Sequence, residues 1–256
     1  MNRMDDIPIY PVLAPTISSF PVHPRKAIDV LSSHSWRGIQ IDARADGTRP
    51  SQLGISARRD LAGLLHRQGM VLAGLDLWLP GSAFFEADTI ERAVDRTVEC
   101  IDLAADLGNC PISMLLPKQG DSSELDSALE VILAKAGGRG VRIADYARDA
   151  PRMEPVDVQS HGLGLDPASL LMAGEDPAAA ALAWGDRLAS ARLVDLTGEG
   201  NRTVPSMGGR GQLDLVSYKI SLGLNPGGRC VVVDLRDCPD PLQGLVQAGE
   251  AWESAS

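Results

Sequence analysis

A chain of 256 residues, 44% hydrophobic and 23% charged, is long enough to bury a core without disulfides or structural metals. Its net charge of -10 argues against non-specific binding to nucleic acid or anionic membranes, which needs a basic face. Four scattered cysteines, Cys100, Cys110, Cys230 and Cys238, form no CxxC pair and no zinc-finger spacing with histidine. They read as reduced, partly buried thiols of a cytoplasmic protein. Met1–Pro8 is polar and acidic, unlike a signal peptide, and no apolar run approaches the roughly 18 residues of a membrane span.

Ile7–Leu13, apolar with two prolines, suits a first strand. Pro24–Ser33 reads as a helix with Ala27, Ile28 and Leu31 on one face, and Gly38–Asp42 as a strand ending in Asp. A polar connection, Thr48–Gly54, leads to a helix over Ser56–Gln68, capped by Ser56. Met70–Leu79 is a strand containing Asp76, closed by the turn signal Pro80-Gly81. Thr89–Leu107 is the strongest helix, because Ile90, Val94, Val98, Ile101 and Ala105 share one face before Gly108 closes it. Pro111–Leu116 is a strand, Ser123–Lys135 a helix ended by Gly137-Gly138, and Val141–Ala144 a strand reaching Asp145 and Tyr146. Arg148–His161 holds Pro151 and Pro155 with little periodicity, so the helix after the fifth strand is weak or missing. Gly162–Pro177 opens as a buried strand, stops its apolar run at Asp166 and turns into the Ala-rich helix Pro177–Trp184. Ala189–Leu193 is a strand reaching Asp195, followed by a Gly-rich loop, Thr197–Gly211, and a helix over Leu213–Leu222. Arg229–Val233 is a strand ending at Asp234, and Pro241–Trp252 is the last helix.

Eight short apolar strands, each followed by a helix or its remnant at a period of about 30 residues, predict a single α/β domain over residues 1–256, a closed (β/α)8 barrel. Six of these strands finish in or near Asp: Asp42, Asp76, Asp145, Asp166, Asp195 and Asp234. Ligands of parallel barrels bind at that end. Each Asp alone can be a helix or turn cap. As a set they are like charges crowded at one mouth, which a divalent cation, arginines or sugar hydroxyls must relieve.

Several stretches carry a family resemblance: Gly74-Leu-Asp-Leu-Trp-Leu-Pro80, Glu91-Arg-Ala-Val-Asp95, Leu103-Ala-Ala-Asp-Leu-Gly108, Leu165-Asp-Pro167 with Leu170–Pro177, and Val204–Asp214. Through them the chain resembles the xylose-isomerase-like TIM barrels, the group holding sugar-phosphate isomerases and epimerases and the apurinic endonucleases. The resemblance implies one divalent metal (Mn, Mg or Zn), held by Glu after the fifth strand, Asp after the sixth, His after the seventh and Glu after the eighth. The metal polarises a sugar oxygen while the two Glu residues shuttle a proton. In this sequence the sixth-strand Asp is Asp166, and the eighth-strand Glu is shortened to Asp234. The fifth-strand Glu falls on Tyr146 and the seventh-strand His on Arg192, within Ala191-Arg-Leu-Val-Asp195. The implied catalytic set is therefore Asp166, Asp234 and Tyr146, with Asp166 and Asp234 the remaining metal ligands. Arg192 has no lone pair to give a metal. Its guanidinium is expected near the metal position, paired with Asp166 and Asp234.

The candidate substrate-binding groups are Arg192, Trp78, Asp76, Asp195, Lys118 and Arg210. Trp78 is a wall for a sugar ring or simple rim packing. Lys118, after the fourth strand, is a candidate to meet an anionic substrate. Arg202 and Arg210, among glycines after the seventh strand, form a phosphate or carboxylate clamp or a flexible loop. Asp42 and Arg44 read as a local pair, and His23, His34, His66 and His161 as structural or solvent-facing. The expected function is that of a sugar or sugar-phosphate isomerase or epimerase with an altered metal site. The alternative is a non-catalytic descendant that binds a sugar-like ligand or a protein partner at the same face. A small carbohydrate-like ligand is expected, with neither nucleic acid nor membrane, and a homo-oligomer is compatible with the sequence.

Overall fold

Apolar runs too short for helices form strands, and helices supply the covering layer. In the computed structural model, residues 11–84, 87–117, 120–147 and 159–255 are described. In chain order they hold β1 (Val12–Pro15), α1 (Pro24–Ser33), β2 (Gly38–Asp42), α2 (Ile55–Arg67), β3 (Val71–Asp76) and α3 (Ala87–Asp106). Next come β4 (Ile112–Met114), α4 (Ser123–Arg139), β5 (Ile143–Asp145), β6 (His161–Leu165), α5 (Pro167–Met172) and α6 (Pro177–Trp184). The chain ends with β7 (Leu188–Leu193), the hairpin strands β8 (Asp195–Leu196) and β9 (Arg202–Thr203), α7 (Leu215–Gly223), β10 (Cys230–Val233) and α8 (Pro241–Ser254).

Eight strands pair in parallel in the order β1-β10-β7-β6-β5-β4-β3-β2, and a bridge from Thr16 to Gln40 joins the two ends. The result is a (β/α)8 barrel, as the alternation predicts. Helical side chains such as Ile28, Leu31, Ile101, Leu103 and Ile132 are fully buried between the helices and the outer face of the sheet. No described helix is long and apolar enough to cross a membrane. Cys100 and Cys110 are buried, and all four cysteines are free thiols.

Several boundaries differ from the sequence reading. The first strand runs over Val12–Pro15, whereas residues 7–10 lie outside the described residues. Gly54, not Ser56, is the N-cap of α2. The helix α4 runs through Gly137 and Gly138 to Arg139, because the residue with left-handed φ that ends it is Gly140. Arg139 in that extra turn meets Asp102 and Asp106 of α3. Leu77–Leu79 leave the sheet after Asp76. The strand opened by Gly162 begins at His161 and ends at Leu165, and a short unforeseen helix, α5, follows where a turn is expected. The loop after the seventh strand contains the β8–β9 hairpin. Most of Arg148–His161, where the helix after the fifth strand is expected to be weak or missing, lies outside the described residues.

Strand alternation decides what fills the barrel. Ala14, Ala73 and Val232 pack together as a small apolar cluster. Farther along the strands the interior turns polar. Gln40 Nε2 donates to Ser113 Oγ at 3.1 Å, and the Tyr146 hydroxyl bonds Ser190 Oγ at 3.0 Å. Beside them, Gly164 has no side chain because a Cβ there would run into the Tyr146 ring. Gly164→Ala is therefore expected to destabilise the fold by about 1–3 kcal/mol through overpacking. A urea midpoint equal to that of the parent would show that the ring is not held this tightly.

Candidate functional site

The six strand-end aspartates divide into two sets. Asp42 Oδ1 accepts from Arg44 N at 2.8 Å and Arg44 Nε at 3.3 Å, the expected local pair. Asp145 Oδ1 accepts from Leu116 N at 3.1 Å and Ala147 N at 2.9 Å. Its other oxygen lies 3.6 Å from His161 Nε2, on the sheet face opposite to that of Tyr146. Asp195 Oδ1 accepts from Leu196 N, Gln212 N and Leu213 N at 2.7, 2.9 and 2.8 Å. It ties the loop after β7 to the barrel through one carboxylate oxygen, which three backbone N–H groups share. These three do the turn work for which Asp is suited.

Asp76, Asp166 and Asp234 instead converge on Arg192. Arg192 is 2% exposed. Its Nη1 stands 3.1 Å from Asp234 Oδ2 and 3.8 Å from Asp166 Oδ2, and its Nη2 stands 3.5 Å from Asp76 Oδ1. Trp78 and Tyr146 flank the guanidinium, with ring centroids 4.6 and 4.2 Å from Cζ. Planar guanidinium on aromatic faces is favourable where water is excluded. The buried Tyr218 hydroxyl donates to the Arg192 carbonyl at 2.8 Å and fixes β7 at this point.

Two further arginines close the mouth. Arg202 grips Asp166 with Nη1 to Oδ1 at 3.0 Å and Nη2 to Oδ2 at 2.8 Å, and its Nε reaches Asp237 at 3.0 Å. Arg236 grips Asp234 with Nε to Oδ1 at 2.9 Å and Nη2 to Oδ2 at 2.6 Å, while its Cζ lies 4.8 Å from the Trp78 ring centroid. Asp166 also caps α5, accepting from Ser169 N at 3.0 Å. One carboxylate thus both caps a helix and stands at the barrel mouth.

The charges explain the titration behaviour. Burial pushes Asp76 up to about 6 in spite of the Arg192 and Arg236 charges. Both of its oxygens are buried without a hydrogen bond, since the arginines reach ion-pair but not hydrogen-bond geometry. Burial also opposes ionisation of Asp234, but hydrogen bonds from Arg236 and the Arg192 charge outweigh it and hold the carboxyl well below its usual range. Burial raises Tyr146 above an ordinary phenol, so it is no base near neutrality. Three guanidiniums face four carboxylates, so protonation of Asp76, which burial brings up to about 6, would balance the set below that pH.

The mouth carboxylates are already engaged by arginine. Both Asp166 oxygens and both Asp234 oxygens already accept from guanidinium groups. Among the described residues, no group of three His, Cys, Asp or Glu side chains is arranged to hold an ion. Of the other sequence candidates, Trp78 lies at the mouth, Arg210 is exposed on its loop, and Lys118 falls outside the described residues. The loop arginine that enters the mouth is Arg202 rather than Arg210. Sequence reasoning missed Arg236 altogether. Its signal was its place two residues after Asp234, where a short chain segment lets both side chains meet.

A parallel barrel whose polar mouth lies at the C-terminal ends of its strands defines the class. No protein-family model matches the sequence, and neither does any curated protein. Solved structures do match. A xylose isomerase domain protein from Planctomyces limnophilus superposes with a TM-score of 0.72 at 18% identity, covering 95% of each chain. A probable 3-DHS dehydratase from Bacillus anthracis has a TM-score of 0.71 at 11% identity, covering 96% of this chain and 100% of that one. An L-ribulose 3-epimerase has a TM-score of 0.67 at 14% identity, covering 95% of each chain. The fold of this chain is that of the xylose isomerase-like TIM barrels.

Proposed function

We propose that this chain is a sugar isomerase- or epimerase-like protein in which a guanidinium has replaced the catalytic metal, and that it binds a carbohydrate-like ligand at the barrel mouth. One observation carries the reading: Arg192 stands within 3.1–3.8 Å of Asp76, Asp166 and Asp234. A guanidinium has no lone pair and stays protonated, so it takes up the carboxylate charge that an ion would otherwise balance. Trp78 offers an aromatic wall, and the outer guanidiniums offer donors to sugar hydroxyls or to an acidic ligand group.

A second reading rests on Asp76. A carboxyl pushed up to about 6 exchanges protons near neutrality, which suits metal-free acid–base chemistry. The adjacent arginines would then stabilise an oxyanion.

Two experiments test these readings. Melting curves with and without Mn²⁺, Mg²⁺ or Zn²⁺ should coincide, and the purified protein should contain no stoichiometric metal. A clear upward shift in any of them, which only a folded-state ligand produces, would defeat the replacement of metal by Arg192. Incubating ketoses with the protein in D₂O and following the carbon-bound protons by NMR separates binder from enzyme. Loss of a single C–H signal supports the Asp76 chemistry, and its persistence alongside ligand line-broadening supports a binder.

A further inference from the structure

A cavity of about 570 Å³ opens beside the mouth between the loops after β2 and β3 and the helix α3. Arg44 and Arg49 line it from the first loop, and Arg92 and Arg96, one turn apart, line it from the helix. Many arginines of this acidic protein are neutralised: Arg25, Arg58, Arg139, Arg192, Arg202 and Arg236 each meet an Asp. None of the described ion pairs involves Arg49, Arg92 or Arg96. Arg49 and Arg92 bond to the carbonyls of Arg44 and Asp88, at 3.0 and 3.1 Å, which leaves their charge without an acidic partner among the described residues. Asp95 and Glu99 also line the cavity, and Arg44 is already paired with Asp42, so three arginines without a described ion pair face two carboxylates. The floor is apolar, with Leu77 and Leu79 both buried.

Like charges gathered in a concave site focus a positive potential, and arginine forks match the geometry of phosphate and carboxylate. The volume falls in the usual range for small-molecule sites. We propose that this cavity binds a small, multiply charged oxyanion, a phosphorylated or polycarboxylate metabolite whose apolar part rests on Leu77 and Leu79. The site is separate from the Arg192 cluster. Trp78 lies between them, packing on Arg192 and Arg236 while also lining the cavity.

Calorimetry on the full chain with pyrophosphate and with citrate, at about 150 mM salt to screen diffuse attraction, tests this. Saturable binding of either is expected, and the better of the two tells phosphate from carboxylate chemistry. The double variant Arg92→Ala, Arg96→Ala should weaken it by about tenfold or more, through loss of charge-assisted hydrogen bonds. Arg96→Glu should abolish it. Arg67→Ala, an exposed position at the end of α2, should leave it unchanged. Arg92 and Arg96 are exposed on a helix, where Ala is a good helix former, so the variants should keep the parent's melting curve. No saturable binding of either anion, or equal affinity in the double variant, would overturn the proposal. Neither result depends on what occupies the barrel mouth.

Discussion

Replacing Arg192 with methionine should cost about 3–5 kcal/mol of folding stability, the usual penalty for removing one partner of a buried ion pair. Methionine keeps much of the length and the apolar stem, so lost packing is a minor part of the effect. What changes is the balance of charge. Asp166 keeps Arg202 and Asp234 keeps Arg236, but Asp76 is left with only Arg236, at 3.9 Å. Arg192→Lys should recover only part of the loss. An ammonium is a point charge and cannot present a planar fork to three carboxylates while packing on Trp78 and Tyr146. Urea unfolding at neutral pH reads both variants. A loss below about 1 kcal/mol for Arg192→Met would mean that the outer arginines hold the mouth without it.

Why the sequence revealed the barrel more readily than the site follows from what each depends on. The strand Gly38–Asp42 and the helices Pro24–Ser33 and Pro177–Trp184 have the residue limits that period and caps imply. Those signals are local. The helix α4 looks shorter in sequence than it is, because two glycines resemble a stop. Yet glycine ends a helix only where the chain needs positive φ, which here is Gly140. The aspartates are all visible in the sequence, but not their division into turn-builders and mouth carboxylates. Asp145 and Tyr146 are adjacent in sequence and face opposite sides of the sheet, so a one-residue difference in phase decides which reaches the axis. The family pattern puts Arg192 at the seventh-strand position and hence among the acids. Arg202 and Arg236 lie in connections whose paths no periodicity records.

The pH dependence of Asp76→Asn is the sharpest check on the electrostatics of the mouth. In the unfolded chain this carboxyl titrates near 3.8, and in the fold burial lifts it to about 6. The folded protein therefore holds the proton more tightly than the unfolded one. That preference adds stability in full below the unfolded value and is lost as pH rises through the folded value. A rise of this size corresponds to about 3 kcal/mol. Asparagine keeps the shape and stays neutral throughout. Relative to the parent, the variant should gain about 2–3 kcal/mol between pH 4 and pH 7. Any constant cost of placing an amide beside Arg192 and Arg236 cancels, because only the change with pH is read. Paired urea titrations at several pH values give that difference directly. A stability gap that stays flat would mean Asp76 is ionised across the range, and the arginines then outweigh its burial. A gap that moves the other way would mean Asp76 is held below its ordinary value, as Asp234 is, and the case for proton exchange at this carboxyl would fall with it.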